Sequence, residues 1–164
     1  MENPMTLNFS VNQRVTLVTL HQIRSHMYPE NLVAPMRQEL VQAGFTETRT
    51  PADVDKFLTQ NKGTALFVVN SVCGCAAANA RPAVRLAIQN GKKPDFLLTA
   101  FAGNDVEAVN RARALMAPFP PSSPAIALFK DGELVHMLER HHIEGRPAQM
   151  IADNLMQAFE EHCN

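Results

Sequence analysis

Only three cysteines occur among the 164 residues, too few for the disulfide framework of a small secreted scaffold. The early "VTLVTL" (15–20) is short, interrupted by threonine and followed by no small-residue cleavage site. A secretion signal is therefore not expected, and the cytoplasm is the expected compartment. No apolar run approaches the length that spans a membrane. Lys and Arg number 15 against 16 Asp and Glu, giving a net charge of −1. They are intermixed, with no basic stripe of the kind that follows phosphates, so neither nucleic acid nor a membrane is an expected partner. What is present is ordinary globular material: 46% hydrophobic residues, in one domain large enough to bury a core.

The cysteines are unevenly placed. In "FVVNSVCGCAAANARP" (67–82), Cys73 and Cys75 flank Gly74 directly after an apolar run. Within one regular helix, residues i and i+2 do not share a face. The spacing therefore predicts Cys73 in the loop before a helix and Cys75 in its first turn, with Gly74 supplying backbone freedom. Unbonded amide N–H groups at a helix entrance favour a thiolate. No Lys, Arg or His lies between residues 71 and 80, so the helix end is expected to supply most of that stabilisation. A disulfide across one intervening residue closes a tight ring, better suited to exchange than to stapling.

The rest of the chain alternates helical and extended patterns. "LVAPMRQELVQAGF" (32–45) has helical spacing, with Pro35 expected in the first turn and Gly44 as the stop. In "TPADVDKFLTQNKG", Thr50 is the expected N-cap and Pro51 the first helical residue; Asp53 sits beside the dipole, and Asn61 and Gly63 close the helix. "TALFVVN" (64–70) suits a buried central strand. A helix kinked at Pro82 follows. Next come a strand over 95–103 and a helix capped by Asn104 or Asp105. The "AIALFK–DG–ELVHML" stretch reads as a hairpin, and "RPAQMIADNLMQAFEEHC" as a closing amphipathic helix. The order α, α, β, α, β, α, β, β, α predicts a mixed sheet with helices on both faces. The cysteines lie where a central strand hands over to its helix, the end of an open α/β sheet where ligands collect.

Three readings of the pair stand: a redox couple, two soft-metal ligands, or core cysteines. A closed zinc site needs two further ligands, and neither the adjacent His141 and His142 nor His162 and Cys163 has a recognised spacing to Cys73. No metal is therefore expected. Pro124, directly before the hairpin, resembles the cis-proline that faces the redox cysteines in thioredoxin-fold proteins.

The segments "VNSVCGCAAANARPA", "FAGND", "PPSSPAIALFKDGELVHMLERHHIEG" and "FEEHC" resemble the bacilliredoxin family, small bacterial thioredoxin-fold proteins with a C-G-C motif. "VAPMRQELVQAGF" is similar to that family's opening helix. The likeness spans roughly residues 28–163. It implies a thioredoxin-like α/β fold, a mixed sheet flanked by helices with an extra N-terminal helical segment, its domain over 28–164, and residues 1–27 as an extension outside the core. "VTLVTL" could alternatively serve as an edge strand or a dimer contact; the chain is expected to be a monomer or homodimer. The implied activity is thiol–disulfide exchange that removes bacillithiol, a low-molecular-weight thiol, from mixed disulfides on client proteins. Bacillithiol would be a co-substrate, with no bound cofactor. Cys73 would be the nucleophile and Cys75 its partner; Gly74, Ser123 and a cis Pro124 would meet the substrate, and Cys163 would be an accessory thiol. The alternatives are a soft-metal or iron–sulfur module and a general disulfide reductase or isomerase. Two departures from thioredoxins stand out: Ser71 and Val72 take the place of a tryptophan before the cysteines, and "ALFVVN" holds no acid.

Overall fold

The strand with the longest apolar run forms the centre of the sheet. In a computed structural model that describes residues 27–89 and 91–164, Thr64–Asn70 is buried along its whole length. The expectations for residues 1–26, whether extension outside the core, edge strand or dimer contact, lie outside the described residues.

In chain order the elements are α1 (Glu30–Val41), β1 (Thr46–Glu47), α2 (Pro51–Leu58), β2 (Thr64–Asn70), a π-helical turn (Ala76–Ala80), α3 (Arg81–Ala87), β3 (Phe96–Phe101), α4 (Val106–Leu115), β4 (Ala125–Lys130), β5 (Glu133–Leu138), α5 (Arg140–Ile143) and α6 (Ala148–His162). The five strands lie in the order β1-β3-β2-β4-β5. β2 runs parallel to β3 and antiparallel to β4, with Asn70 opposite Phe101 and Val69 opposite Ala125. The sheet is mixed, as the alternation predicts.

Side chains alternate across β2 and divide the core in two. Leu66 and Val68 join Leu40, Val84, Ile151, Leu155 and Phe159 beneath α1, α3 and α6. Ala65, Phe67 and Val69 join Val54, Leu58, Val109 and Phe129 beneath α2 and α4. No described helix is long and apolar enough to cross a membrane.

Local signals set most boundaries. Thr50 caps α2 through a reciprocal box in which its hydroxyl accepts from the Asp53 amide while the Asp53 carboxylate accepts from the Thr50 amide. The Thr50 side chain facing the carboxyl first, and then the hydrogen bonds it accepts from the Arg49 and Thr50 amides, hold Asp53 below the usual carboxylate range. α1 ends in a Schellman arrangement: the Gly44 amide donates to Val41 and that of Phe45 to Leu40, with Gly44 at φ 98°. Asp131 and Gly132, both at positive φ, turn β4 into β5, the backbone that a two-residue hairpin requires.

Several expectations need correction. α1 begins at Glu30, so Pro35 stands in its interior and not in its first turn. α2 ends at Leu58, earlier than Asn61 and Gly63, where the Thr59 amide and hydroxyl both bond back to the Asp55 carbonyl. The short β1 and α5 went unforeseen. Asp105 does cap α4 by position, but its carboxylate turns inward to the Phe101 amide and to Arg37. Before Pro82 there is a π-helical turn in place of a simple kink. The Arg81 amide reaches five residues back to the Ala76 carbonyl, and the widened turn gives room to a proline ring that would crowd a tighter one.

Candidate active site

Cys73 and Cys75 form a disulfide, with their Cα atoms 5.4 Å apart. Gly74 and Cys75 open the helix. The Cys73 carbonyl accepts from the Ala76 amide at 3.1 Å and the Ala77 amide at 3.3 Å, so Cys73 occupies the N-cap position. Its sulfur acts as the capping side chain, accepting from the Ala76 amide at 3.3 Å. The Ser71 hydroxyl donates to the same sulfur at 3.2 Å. Cys73 is partly exposed, whereas Cys75 is buried behind it. This is the loop-then-first-turn placement that the one-residue spacing predicts.

Two hydrogen bonds to one sulfur, at the positive end of a helix, favour its anionic form once the pair is reduced. Exposure then distinguishes the two sulfurs. An incoming disulfide can reach Cys73, and Cys75 is close enough to attack whatever Cys73 has accepted.

Gly74 is exposed, and a methyl group built on it would meet nothing within 4 Å. Its φ is not among the positive ones. What glycine provides here is therefore an open surface between the cysteines, in contrast to the backbone freedom expected of it.

The hairpin brings the second loop to the same end of the sheet. Ala125 pairs with Val69, so Ser123 and Pro124 lie beside the end of β2, where the C-G-C loop begins. The Ser123–Pro124 bond is cis. Ser122 fixes this turn to α5, its hydroxyl accepting from the Arg140 amide at 2.7 Å and donating to the Pro124 carbonyl at 3.3 Å.

Two contributors escaped the sequence reading. One is the Ser71 hydroxyl. The other is Arg81, only 2% exposed, which lies just beyond the stretch empty of basic residues. Its guanidinium donates to the Ser71 carbonyl at 3.2 Å, to Asn70 Oδ1 at 3.1 Å and to Glu39 at 2.8 Å. Asn70 in turn accepts from the Ser71 amide and donates to the Met36 carbonyl of α1. A lone charge among the alanines of "AAANARPAV" is the signal that marks Arg81.

Cys163 lies elsewhere. Its thiol lies by Thr64 and Asp95, at the start of β2, and burial foremost pushes it above the ordinary thiol range. A seven-residue strand rising about 3.3 Å per residue separates it from the C-G-C end. A disulfide between Cys163 and Cys73 needs Cα atoms within roughly 7 Å, so Cys163 cannot resolve an adduct on Cys73 within one chain. Cys163→Ala is accordingly expected to leave thiol exchange at the wild-type rate and to lower stability by about 1 kcal/mol, the loss of one small buried group. Exchange kinetics and urea unfolding of this variant check both parts.

Among the described residues, metal-capable side chains converge at Glu139, His141 and His142 and not at the cysteines. Glu139 and His142 already bond each other's backbone amides as the cap of α5. Burial first, and then the neighbouring His141, hold the His142 imidazole below its usual range.

Comparison with known proteins agrees with this geometry. A family model described as disulphide isomerase matches residues 28–163. A bacilliredoxin of Cytophaga hutchinsonii is 59% identical over 135 residues, covering 82% of this chain and 99% of its own. One of Salinibacter ruber is 54% identical over 138 residues, covering 83% and 81% respectively. Among solved structures, a mutant thioredoxin of Halobacterium salinarum superposes with a TM-score of 0.51 at 18% identity, over 74% of this chain and 93% of its own. At that identity the likeness speaks to the fold, which is thioredoxin-like. With its C-G-C pair at the entrance of the helix after the central strand, the chain belongs to the bacilliredoxin family of thiol–disulfide oxidoreductases.

Proposed function

We propose that this protein strips low-molecular-weight thiol caps, bacillithiol foremost, from client proteins in the cytoplasm. The observation that carries the reading is the asymmetry of the pair: a partly exposed Cys73 sulfur with two hydrogen-bond donors, and a buried Cys75 directly behind it. The name bacilliredoxin carried by the relatives supports bacillithiol as the cap.

The Cys73 thiolate attacks the sulfur of the cap. A Cys73–cap disulfide forms, the client–cap disulfide breaks, and the client leaves as its thiolate. Cys75 then attacks the Cys73 sulfur, expels the small thiolate and closes the Cys73–Cys75 disulfide. A second low-molecular-weight thiol attacking the cap sulfur can do the same work, leaving Cys73 reduced and the two small thiols joined. In the first route an external thiol must reduce the pair again. In this reading Ser123 and Pro124, beside the end of β2, offer backbone to the client, while Gly74 keeps the approach open.

The test uses the reduced protein with one client capped in parallel by bacillithiol and by glutathione. Faster release of bacillithiol supports the reading; equal release from both reduces it to a general disulfide reductase. Metal analysis of protein purified without chelator addresses the soft-metal and iron–sulfur alternatives.

We further propose that residues 28–164 form the complete redox unit. A chain beginning at Met27 is expected to fold and to exchange at the full-length rate. Circular dichroism and the same decapping assay check this, and an unfolded truncation would contradict it.

A further inference from the structure

A buried arginine is costly unless its donors are all occupied and its charge is answered. Arg81 has its charge answered and its Nε and Nη1 donors engaged at one place, the backbone that leads into the C-G-C loop. Glu39 answers the charge from α1 at 2.8 Å, and the other contacts go to Asn70 and to the Ser71 carbonyl. Ser71 is also the residue whose hydroxyl donates to Cys73. The guanidinium is thus one residue removed from the sulfur's own hydrogen-bond donor. In the hydrogen-bonded shell of Asn70, Ser71 and Cys73, the charged groups are Arg81 from α3 and, through it, Glu39 from α1. Apart from Cys75, the disulfide partner of Cys73 and itself a thiol once reduced, no other ionisable side chain among the described residues bonds to these three.

We propose that Arg81 is a positioning residue for the Cys73 sulfur. Its fork pins the Ser71 backbone so that the Ser71 hydroxyl and the Ala76 amide converge on the sulfur, and its charge favours the thiolate. Removing the charge weakens the thiolate; removing Glu39, which opposes that charge, strengthens it. A purely structural clamp between α1 and the loop would affect stability alone. The proposal rests on the thiol-exchange reading of the site, but it concerns the sulfur before any client arrives.

The test is the pH dependence of iodoacetamide labelling at Cys73, read by peptide mass on the reduced full-length protein. Arg81→Met is expected to raise the midpoint by about one pH unit, the size of losing a nearby opposite charge, and to slow labelling near neutral pH about tenfold. Arg81→Lys, which keeps the charge without the planar fork, is expected to recover part of this. Glu39→Gln, at a partly exposed position, is expected to lower the midpoint, and it provides the readout if Arg81→Met fails to fold. A midpoint unchanged in Arg81→Met, with only stability reduced, would overturn the proposal; so would an unchanged midpoint in Glu39→Gln. No client is present in this measurement. Failure of the wild-type protein to remove caps would therefore register separately.

Discussion

Cys73→Ser is expected to reduce cap removal to the uncatalysed rate, with the fold intact. Serine keeps the N-cap hydrogen bond to the Ala76 amide, but its hydroxyl does not ionise near neutral pH and cannot displace a thiolate from a disulfide. Cys75→Ser is expected to behave differently. The nucleophile and its two donors remain, so the first transfer proceeds, but the internal thiol that would expel the cap is missing. The variant should complete one turnover and then stall unless an external thiol rescues it. Stopped-flow appearance of the freed client thiol, measured with and without added free thiol, separates these behaviours. Equal impairment of both variants, unrelieved by added thiol, would contradict the division of labour.

The second large effect concerns stability. Arg37 (4% exposed) and Asp105 (7%) form a two-pronged pair at 2.7 and 2.9 Å, joining α1 to the end of β3. Burial opposes the Arg37 charge, but the bonds and charge of Asp105, with Glu30 and Glu47 behind it, outweigh that and hold its pKa above the usual value. Asp105→Ala leaves a cation buried without its main partner and removes the acceptor of the Phe101 amide. The expected loss is about 3–5 kcal/mol, a large fraction of the ~5–15 kcal/mol typical of a domain. Arg37→Met combined with Asp105→Leu should cost less than Asp105→Ala, because no charge is then stranded. Denaturant midpoints of these variants check the order. The consequence reaches the site, since α1 also carries the Met36 carbonyl and the Glu39 carboxylate that brace Asn70 and Arg81.

These two regions differ in how far the sequence alone reveals them. The placement of Cys73 and Cys75 follows from local geometry, because one intervening residue leaves few ways for a strand-to-helix junction to hold both sulfurs. Thr50–Pro51–Asp53, Gly44 and Asp131–Gly132 are legible for the same reason: each contains its own partner within a few residues. β1 has two residues and exists only through its pairing with β3, so no periodicity announces it. α5 is four residues long, held by the exchange between Glu139 and His142. Arg81 is obscured by distance along the chain, since its carboxylate partner lies 42 residues away. Asp105 looks like an ordinary helix cap until the fold brings Arg37 against it. The place of Cys163 is obscured for the converse reason: the sequence puts a third thiol in the chain without saying which end of the sheet it occupies.

The most direct test of the central claim, that the Cys73 sulfur receives the cap, is the mass of Cys75→Ser after mixing with a bacillithiol-capped client, followed by peptide mapping of the adduct. The account predicts one added bacillithiol, located on Cys73, and a client restored to its reduced mass. A cap on Cys163, or a client still fully capped, would contradict it.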